Sequence, residues 1–307
     1  RSALALEGYR LGHGAYPDIA VDAAGGLHVG YVREGTLRYR YRLSGSAEWS
    51  AEENTGLPQG MVHRSDPEIA VTLDGTLYAL VGSTIARREE GKWKLLKADF
   101  ARDTDLALDS KGAAYVVRRG GHGDGFLGLL KCNPGYDAFE ALPDPDIAAG
   151  FPAGRNDHVY GSIAVSPVED SLHIVYRHGT PRNIAYRVST DGGITWQGGG
   201  IADREPEAPA IAVAPDGQVF VANADGHVFR RGGSPAEWTD LGRAFEGGRR
   251  DLPQIAVDRS AIVHVVAFGG RYNRLADGQW DGTRTLPSRS KRSLGYADFT
   301  PAPNGTL

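Results

Sequence analysis

The chain repeats a short apolar, strand-like run six times, and this repeat limits what the chain can fold into. In most copies a turn rich in Asp and Gly follows the run, and a second alternating run comes after the turn. Asp-Gly between alternating apolar runs is typical of a β-hairpin. The copies of the first run occupy residues 17–22, 67–71, 104–109, 161–165, 209–213 and 253–258.

A third strand-like run and an aromatic residue close each copy. Equivalent apolar residues stand at positions 19, 69, 106, 163, 211 and 255, so the repeats are 37 to 57 residues long. That is the size of one four-stranded β-propeller blade. All the tryptophans hold the aromatic slot, and Phe139 is expected to replace Trp in the third copy. The tryptophans are Trp49, Trp93, Trp196, Trp238 and Trp280.

The repeat therefore predicts an all-β fold, a β-propeller of four-stranded antiparallel blades in a single domain over residues 1–307. Residues 296–305 read as the start of a seventh unit, and residues 2–11 precede the first unit. Pairing the two terminal strands closes the last blade and removes exposed sheet edges. We expect seven blades, with six as the alternative.

The overall charge and hydropathy exclude two classes of partner. The net charge is −4, so the chain as a whole has no electrostatic footprint for nucleic acid. No apolar run approaches the ~18–20 residues that span a membrane, so no membrane span is expected. We expect a monomer.

No cofactor or metal is predicted. The single cysteine, Cys132, excludes an internal disulfide and a cysteine metal cluster, and is expected to be a buried apolar residue. No histidine pair has zinc spacing, and a Ca²⁺ ion held by loop carboxylates has no support in the sequence. No signal peptide is visible, so the compartment stays open. A carbohydrate-active protein would be expected to be secreted or periplasmic.

Arginine and histidine gather in the loops of one end of the predicted propeller. Loops that lead into the first strands and loops that follow the second strands share this end, and together they form a cationic ring. Such a ring attracts an anionic ligand, and Arg can grip a carboxylate bidentately. The alternative is a set of solvated loops capped by short ion pairs. The substrate-binding candidates are His63, Arg64, Arg102, Arg119, Arg155, His158, His178, Arg204, Arg250, Arg271 and Tyr272.

The fourth unit carries the densest set of candidates. Tyr160 and Arg177 are 17 residues apart, the distance across one hairpin, and His122 belongs to the neighbouring third unit. A Tyr, a His and an Arg that converge suit β-elimination on a uronic acid sugar. Arg177 would neutralise the sugar carboxylate, while Tyr160 and His122 transfer protons. These three residues are the predicted catalytic residues.

Two family resemblances bear on function. The stretch Ser189–Trp196 has the form S-x-D-x-G-x-T-W and resembles the Asp box of sialidase-like (BNR-repeat) β-propellers. The chain is also similar to the ulvan lyases of that group, polysaccharide lyases that use His, Tyr and Arg. The resemblance extends these roles to His122, Tyr160 and Arg177, with Arg102 nearest to their second His. It implies a polysaccharide lyase for an anionic, uronate-containing glycan.

Two other functions stay open. A sialidase-like exo-glycosidase would hold a substrate carboxylate with three arginines, but Tyr16-Pro17-Asp18-Ile19 stands where sialidases have Arg-Ile-Pro. A lectin or partner-binding propeller would need no catalytic group. The loops differ sharply in length and content, which favours one asymmetric site over repeated lectin pockets.

Two further groups of polar residues are expected to be structural. His28, His173 and His264 hold the same slot in the second strand of their units, which predicts packing residues. Residues 87–92 combine charges of both signs, which predicts a solvated hairpin tip.

Overall fold

The computed structural model describes residues 15–58, 67–82, 84–96, 104–119, 127–145, 159–178, 183–201, 208–246, 253–267 and 270–285. Within these residues the strands form six antiparallel sheets, which we call blade 1 to blade 6 in chain order. In each blade, strands that follow one another in the chain lie side by side. The fold is therefore all-β with short-range pairing, as the hairpin pattern predicts.

The first three blades take up the N-terminal half of the chain. Blade 1 contains β1 (Ala15–Val21), β2 (Leu27–Arg33), β3 (Thr36–Arg42) and β4 (Glu53–Pro58). Blade 2 contains β5 (Glu68–Val71), β6 (Leu77–Val81), β7 (Thr84–Glu89) and β8 (Lys92–Leu95). Blade 3 contains β9 (Thr104–Leu108), β10 (Ala114–Arg119), β11 (Leu127–Cys132) and β12 (Glu140–Ala141).

The last three blades repeat this order, and blade 6 has one additional strand. Blade 4 contains β13 (Val159–Val165), β14 (Leu172–His178), β15 (Asn183–Ser189) and β16 (Gln197–Ile201). Blade 5 contains β17 (Ala210–Val213), β18 (Val219–Ala222), β19 (His227–Arg231) and β20 (Trp238–Arg243). Blade 6 contains β21 (Gln254–Val257), β22 (Val263–Ala267), β23 (Arg271–Ala276), β24 (Gln279–Trp280) and β25 (Arg284–Thr285), which pairs with β23.

The first strands of successive blades adjoin one another. β1 contacts β5, β5 contacts β9, β9 contacts β13, β13 contacts β17 and β17 contacts β21. The first residues of these strands therefore lie at one end of a common axis, which we call the entrance end. The tight turns that follow the first strands lie at the opposite end, the turn end.

Apolar side chains from each pair of neighbouring blades interlock between the sheets. Five such cores are present in the described residues, one for each boundary from blade 1 to blade 6. Leu37 and Ile85 are fully buried at two of these boundaries. Burying an aliphatic side chain of this size contributes about 1.5–3 kcal/mol, so the boundaries between blades hold much of the stability of the fold.

In blades 2 to 6 the aromatic residue that closes each copy lies at one of these boundaries. Phe139 packs against the core between blades 2 and 3, and so replaces Trp in the third copy as expected. Three indole Nε1 atoms also donate to backbone oxygens, from Trp196 to Gly193 (3.1 Å), Trp238 to Pro235 (3.1 Å) and Trp280 to Leu241 (3.0 Å). The tryptophans that contribute to these cores are Trp93, Trp196, Trp238 and Trp280.

The turn from Ser189 to Trp196 is held by its own polar side chains. Asp191 accepts hydrogen bonds from the backbone N–H of Ile194 (3.0 Å) and from Thr195 (2.9 Å). The hydroxyl of Ser189 accepts the N–H of Gly193 at 2.9 Å. Hydrogen bonds from Thr195 favour the ionised carboxylate and lower the pKa of Asp191 to about 2.

The slot of His28, His173 and His264 is a repeated structural network, as predicted. His173 and His264 are buried, and His28 is largely so. Each Nδ1 atom bonds to a tyrosine hydroxyl on the third strand, in the pairs His28–Tyr39 (2.6 Å), His173–Tyr186 (2.7 Å) and His264–Tyr272 (2.9 Å). The Nε2 atoms face Asp22 (3.2 Å), Ser171 (2.8 Å) and Asp258 (3.3 Å), in the same order.

The prediction of a solvated hairpin tip over residues 87–92 is confirmed for Glu90, Gly91 and Lys92, which are exposed at the turn between β7 and β8, and is wrong for Arg87. Arg87 is not part of a solvated tip, because its side chain is buried and bonds to Glu89, to Asp137 and to the backbone oxygen of Tyr136.

The structure describes six sheets, which is the number of blades in the alternative prediction. The segments 2–11 and 296–305, expected to form a seventh blade, lie outside the described residues. In the described part of the chain no helix is long and apolar enough to cross a membrane.

Candidate functional site

The first hairpin of blade 4 brings two of the predicted catalytic residues to one end of the sheet. Val159 pairs with Arg177, and regular pairing resumes at Ser162 with Val175. Tyr160 lies in the irregular stretch between these pairs. The backbones of Tyr160 and Arg177 are therefore on adjacent strands at the entrance end, as their spacing predicts.

The face of the sheet on which Arg177 lies follows from strand alternation. Ile174 and Tyr176 pack into the core between blades 3 and 4. Val175 packs into the core between blades 4 and 5. Arg177 shares the row of Val175, so its partly exposed side chain emerges on the side of blade 5.

The corresponding ends of other blades also carry arginine. In blade 3, β10 ends at Arg118 and Arg119, which pair with Gly128 and Leu127. In blade 1, β2 ends at Arg33, whose Nη1 lies 3.4 Å from a carboxylate oxygen of Glu52. The entrance end therefore receives cationic residues from the second strands of blades 1, 3 and 4.

Arg271 and Tyr272 begin the third strand of blade 6 and are held by neighbours within the fold. The guanidinium of Arg271 lies over the ring of Phe245, 4.8 Å from its centroid, and donates to the backbone oxygen of Glu246. The hydroxyl of Tyr272 is bonded to His264. These contacts give both side chains a structural role that the loop pattern does not reveal.

The other predicted positions fall outside what the structure describes in full. For Arg119, Tyr160 and His178 the backbone is described and the side chain is not. The remaining candidates lie outside the described residues, and they are His63, Arg64, Arg102, His122, Arg155, His158, Arg204 and Arg250.

A row of polar residues along the axis was not predicted from the sequence. Asp18, Glu68 and Asp105 each stand one position before the repeated Ile or Leu of a first strand, and Ser162 holds the same position in blade 4. Their side chains accept backbone N–H groups from the next blade. The recurrence of an acidic residue at this position was the available signal, but its meaning depends on which first strands adjoin.

The axial carboxyl groups have shifted proton affinities. Burial raises the pKa of Glu68 well above its usual range, and the nearby Asp105 and Asp18 raise it further. Burial also raises the pKa of Asp105, against the opposing effect of the N–H of Ile163. Both residues keep a partly accessible surface, but the surrounding protein removes most of the water from the carboxyl groups.

A cavity of about 400 Å³ lies elsewhere, at the turn end between blades 2 and 3. Thr72, Tyr78, Arg87 and Gly112 contribute to its wall. Both arginines of its described lining are paired with acidic residues, Arg87 with Glu89 and Asp137 and Arg88 with Glu53. Among the described residues no cluster of three His, Cys, Asp or Glu side chains is arranged to hold a metal ion.

Taken together with known structures, these six sheets define a β-propeller. The chain aligns with virginiamycin B lyase from Staphylococcus aureus, in a catalytically inactive histidine-to-alanine variant with quinupristin, at a TM-score of 0.64 and 12% identity over 94% of this chain and 89% of that one. It also aligns with a gluconolactonase from Xanthomonas campestris at a TM-score of 0.51 and 13% identity over 82% and 83% of the two chains. No family model and no curated protein sequence matches the chain. At these identities the likeness shows the fold, and one fold of this kind carries different chemistries.

Proposed function

We propose that this protein is a carbohydrate-active β-propeller that cleaves a uronate-containing polysaccharide by β-elimination at the entrance end of blade 4. The adjacency of Tyr160 and Arg177 on β13 and β14 carries the proposal. The lyase among the structural neighbours supports it, because replacing one histidine makes that propeller enzyme inactive.

Arg177 is the group proposed to bind the sugar carboxylate. A planar guanidinium can bind a carboxylate bidentately, and it stabilises the negative charge that develops when the adjacent carbon loses a proton. Since Arg177 emerges on the side of blade 5, Arg204 in the preceding loop of that blade is the candidate for a second cationic contact. Arg102, Arg155, His158 and Arg250 would line the remainder of the ring.

His122 and Tyr160 are proposed to move the protons. One acts as base and removes the proton on the carbon next to the carboxylate. The electron pair then forms a carbon–carbon double bond, and the bond to the leaving glycosidic oxygen breaks. The other residue donates a proton to that oxygen, so the products are an unsaturated uronate and a new sugar end. Acid–base catalysis of this kind contributes about 10²–10⁴-fold to a rate.

The decisive experiment is a panel of uronate-containing polysaccharides, followed by ultraviolet absorbance and by reducing-end release. The proposal predicts that both signals rise with the wild-type protein and that absorbance is lost in Tyr160→Phe with circular dichroism unchanged. Reducing ends without absorbance would indicate a hydrolase. Binding without either signal would indicate a lectin.

A sialidase-like exo-glycosidase is the second candidate, because the sequence from Ser189 to Trp196 resembles the Asp box of that group of propellers. The side chain of Asp191 caps the turn and Trp196 packs between blades, as expected for an Asp box. Turnover of a fluorogenic sialoside, with no unsaturated product from any uronate, would support this alternative and contradict the lyase.

We also propose that residues 1–307 form one domain whose ring is completed by the terminal segments. Trp49 supports this, since its indole nitrogen is covered although Trp49 belongs to none of the five described cores between blades. Segments 2–11 and 296–305 are the candidates to lie against it. Deleting either segment is then expected to lower the thermal unfolding midpoint.

A further inference from the structure

The first strands of blades 1 to 4 are joined to the next blade by side chains at one recurring position. In each case an oxygen accepts the backbone N–H of the residue that follows the equivalent position in the next blade. Asp18 accepts from Ile69, Glu68 from Leu106 (2.7 Å), Asp105 from Ile163 (2.8 Å) and Ser162 from Ile211 (3.4 Å).

Glu68 and Asp105 converge on one backbone donor, because the N–H of Leu106 lies within hydrogen-bond distance of a carboxyl oxygen of each, 2.7 Å from Glu68 and 2.9 Å from Asp105. An ionised carboxylate only accepts hydrogen bonds, so a bond between two carboxyl groups requires one proton between them. The N–H of Leu106 is shared between the two groups, and Asp105 alone also accepts the N–H of Ile163 (2.8 Å) on its other oxygen. Because backbone donors stabilise the charged form, Asp105 is the ionised member and Glu68 carries the proton.

The surroundings of Glu68 act in the same direction. The titratable groups that face it among the described residues are Asp18 on β1 and Asp105 on β9, and both are acidic. Ionisation of Glu68 would place a further negative charge beside them, in a space with little water. These effects raise the pKa of Glu68.

We infer that Glu68 and Asp105 form a proton-sharing clasp between blades 2 and 3, closed in neutral solution and loosened as pH rises. The clasp does not depend on the proposed reaction. When Glu68 loses its proton, the bond to Asp105 is lost and the axial carboxylates repel one another. The boundaries of blade 2 with its neighbours are then weakened.

The direction of the pH effect follows from proton linkage. The folded protein holds the proton of Glu68 above the ordinary pKa of 4.5, at which the unfolded chain releases it. The stabilising effect is therefore complete below that pH and declines as pH rises towards the folded pKa. One proton held in this way changes the unfolding equilibrium constant by about tenfold per pH unit.

The test compares wild type with Glu68→Gln in urea unfolding between pH 4 and pH 9. Glutamine keeps the acceptor for Leu106 and donates its amide to Asp105, so it imitates the protonated acid permanently. We expect equal stability near pH 4 and a growing advantage of Glu68→Gln above it, about tenfold in the unfolding equilibrium constant per pH unit.

Two control variants separate the proton from the hydrogen bonds. Asp105→Asn removes the ionised member and leaves one backbone N–H without its acceptor, so it should lose stability at every pH. Ser162→Ala removes the equivalent contact without a titratable group, and its effect should not change with pH. A difference between wild type and Glu68→Gln that is constant with pH would overturn the inference.

Infrared spectroscopy of the folded protein gives a readout that does not depend on unfolding. Wild type at pH 7 should show the carbonyl stretch of a protonated carboxylic acid, and this band should be absent in Glu68→Gln, which removes the carboxyl group that carries the proton. A wild-type spectrum with ionised carboxylates alone would contradict the clasp.

Discussion

The Nε2 atom of His173 lies 2.8 Å from the hydroxyl oxygen of Ser171, where the equivalent atom of His264 faces the carboxylate of Asp258 at 3.3 Å. Burial and the nearby Arg231 lower the pKa of His173 to about 3. Burial also lowers the pKa of His264, but Asp258 acts against it. Histidines at the same position of the repeat therefore differ in their sensitivity to acid from one blade to another.

This difference predicts which histidine contributes most to acid unfolding. Between pH 6.5 and about 3 the unfolded chain protonates His173 and the folded protein does not, so the free energy of unfolding falls as pH falls. His173→Gln should lower the number of protons taken up on unfolding by up to one. This appears as a weaker dependence of the free energy of unfolding on pH, measured by urea unfolding from pH 4 to pH 7. His264→Gln is the matched control and should remove less. Equal changes in both variants would contradict the assignment.

Two adjacent glycines allow a test of the turn before Trp196. Gly192 and Gly193 both have positive φ, 76° and 95°, so alanine at either costs about 1–2 kcal/mol in backbone strain. A Cβ atom on Gly193 would also lie 2.7 Å from Leu142 Cδ1, whereas the nearest atom at Gly192 is 3.6 Å away. Gly193→Ala should therefore lower the free energy of unfolding by about 1–3 kcal/mol more than Gly192→Ala. Equal losses in the free energy of unfolding, measured by thermal or urea unfolding, would show that the side chains around Leu142 rearrange at no cost.

The strand repeat was predictable from sequence because each blade depends on local pairing. The positions of Ile19, Ile69 and Ile163 mark their first strands, and the structure has strands there. The position of Trp196 could be predicted for the same reason, since each copy needs a side chain that packs at the equivalent boundary between sheets. The number of blades could not be predicted in the same way, because a blade count depends on contacts between parts of the chain that are distant in sequence.

Contacts between residues of different units could not be predicted from the repeat. Glu68 and Asp105 are separated by a whole unit, and only the order of the first strands brings them together. Tyr272 was expected to bind substrate because it follows a loop, but its hydroxyl is hydrogen-bonded to His264. Arg87 was expected to be solvated among mixed charges, but its buried guanidinium is paired with Glu89 and with the exposed Asp137 on the next blade. For Glu68 and Arg87 a partner lies on the next blade, and for Tyr272 the partner lies on the adjacent strand of the same blade.

Two tryptophans in the same slot differ in one hydrogen bond. Trp196 donates its indole N–H to Gly193, while the buried indole nitrogen of Trp93 has no acceptor among the described residues. Phenylalanine removes the same volume from both, and Trp196 is also the more buried of the two, so the difference between Trp196→Phe and Trp93→Phe contains the bond and a burial contribution of the same sign. We expect Trp196→Phe to lose more stability by at least about 1 kcal/mol, the net value of one hydrogen bond. Indistinguishable unfolding midpoints would argue against it.

Arg177 has a matched control at the other end of the molecule. Arg259 is an exposed arginine in the tight turn after β21, at the turn end. Because lysine cannot bind a carboxylate bidentately, Arg177→Lys should lower kcat/KM on a uronate polysaccharide by at least about tenfold, or more than 1.4 kcal/mol in transition-state stabilisation. Arg259→Lys should match wild type. Equal activity of both variants would remove Arg177 from the site.

The proposed chemistry is tested most directly by turnover of a uronate polysaccharide in heavy-oxygen water, with mass spectrometry of the products. Elimination breaks the glycosidic bond without adding water, so the account predicts an unsaturated uronate end and no solvent oxygen in either product. A product that carries one heavy oxygen and no double bond would show hydrolysis and contradict the account.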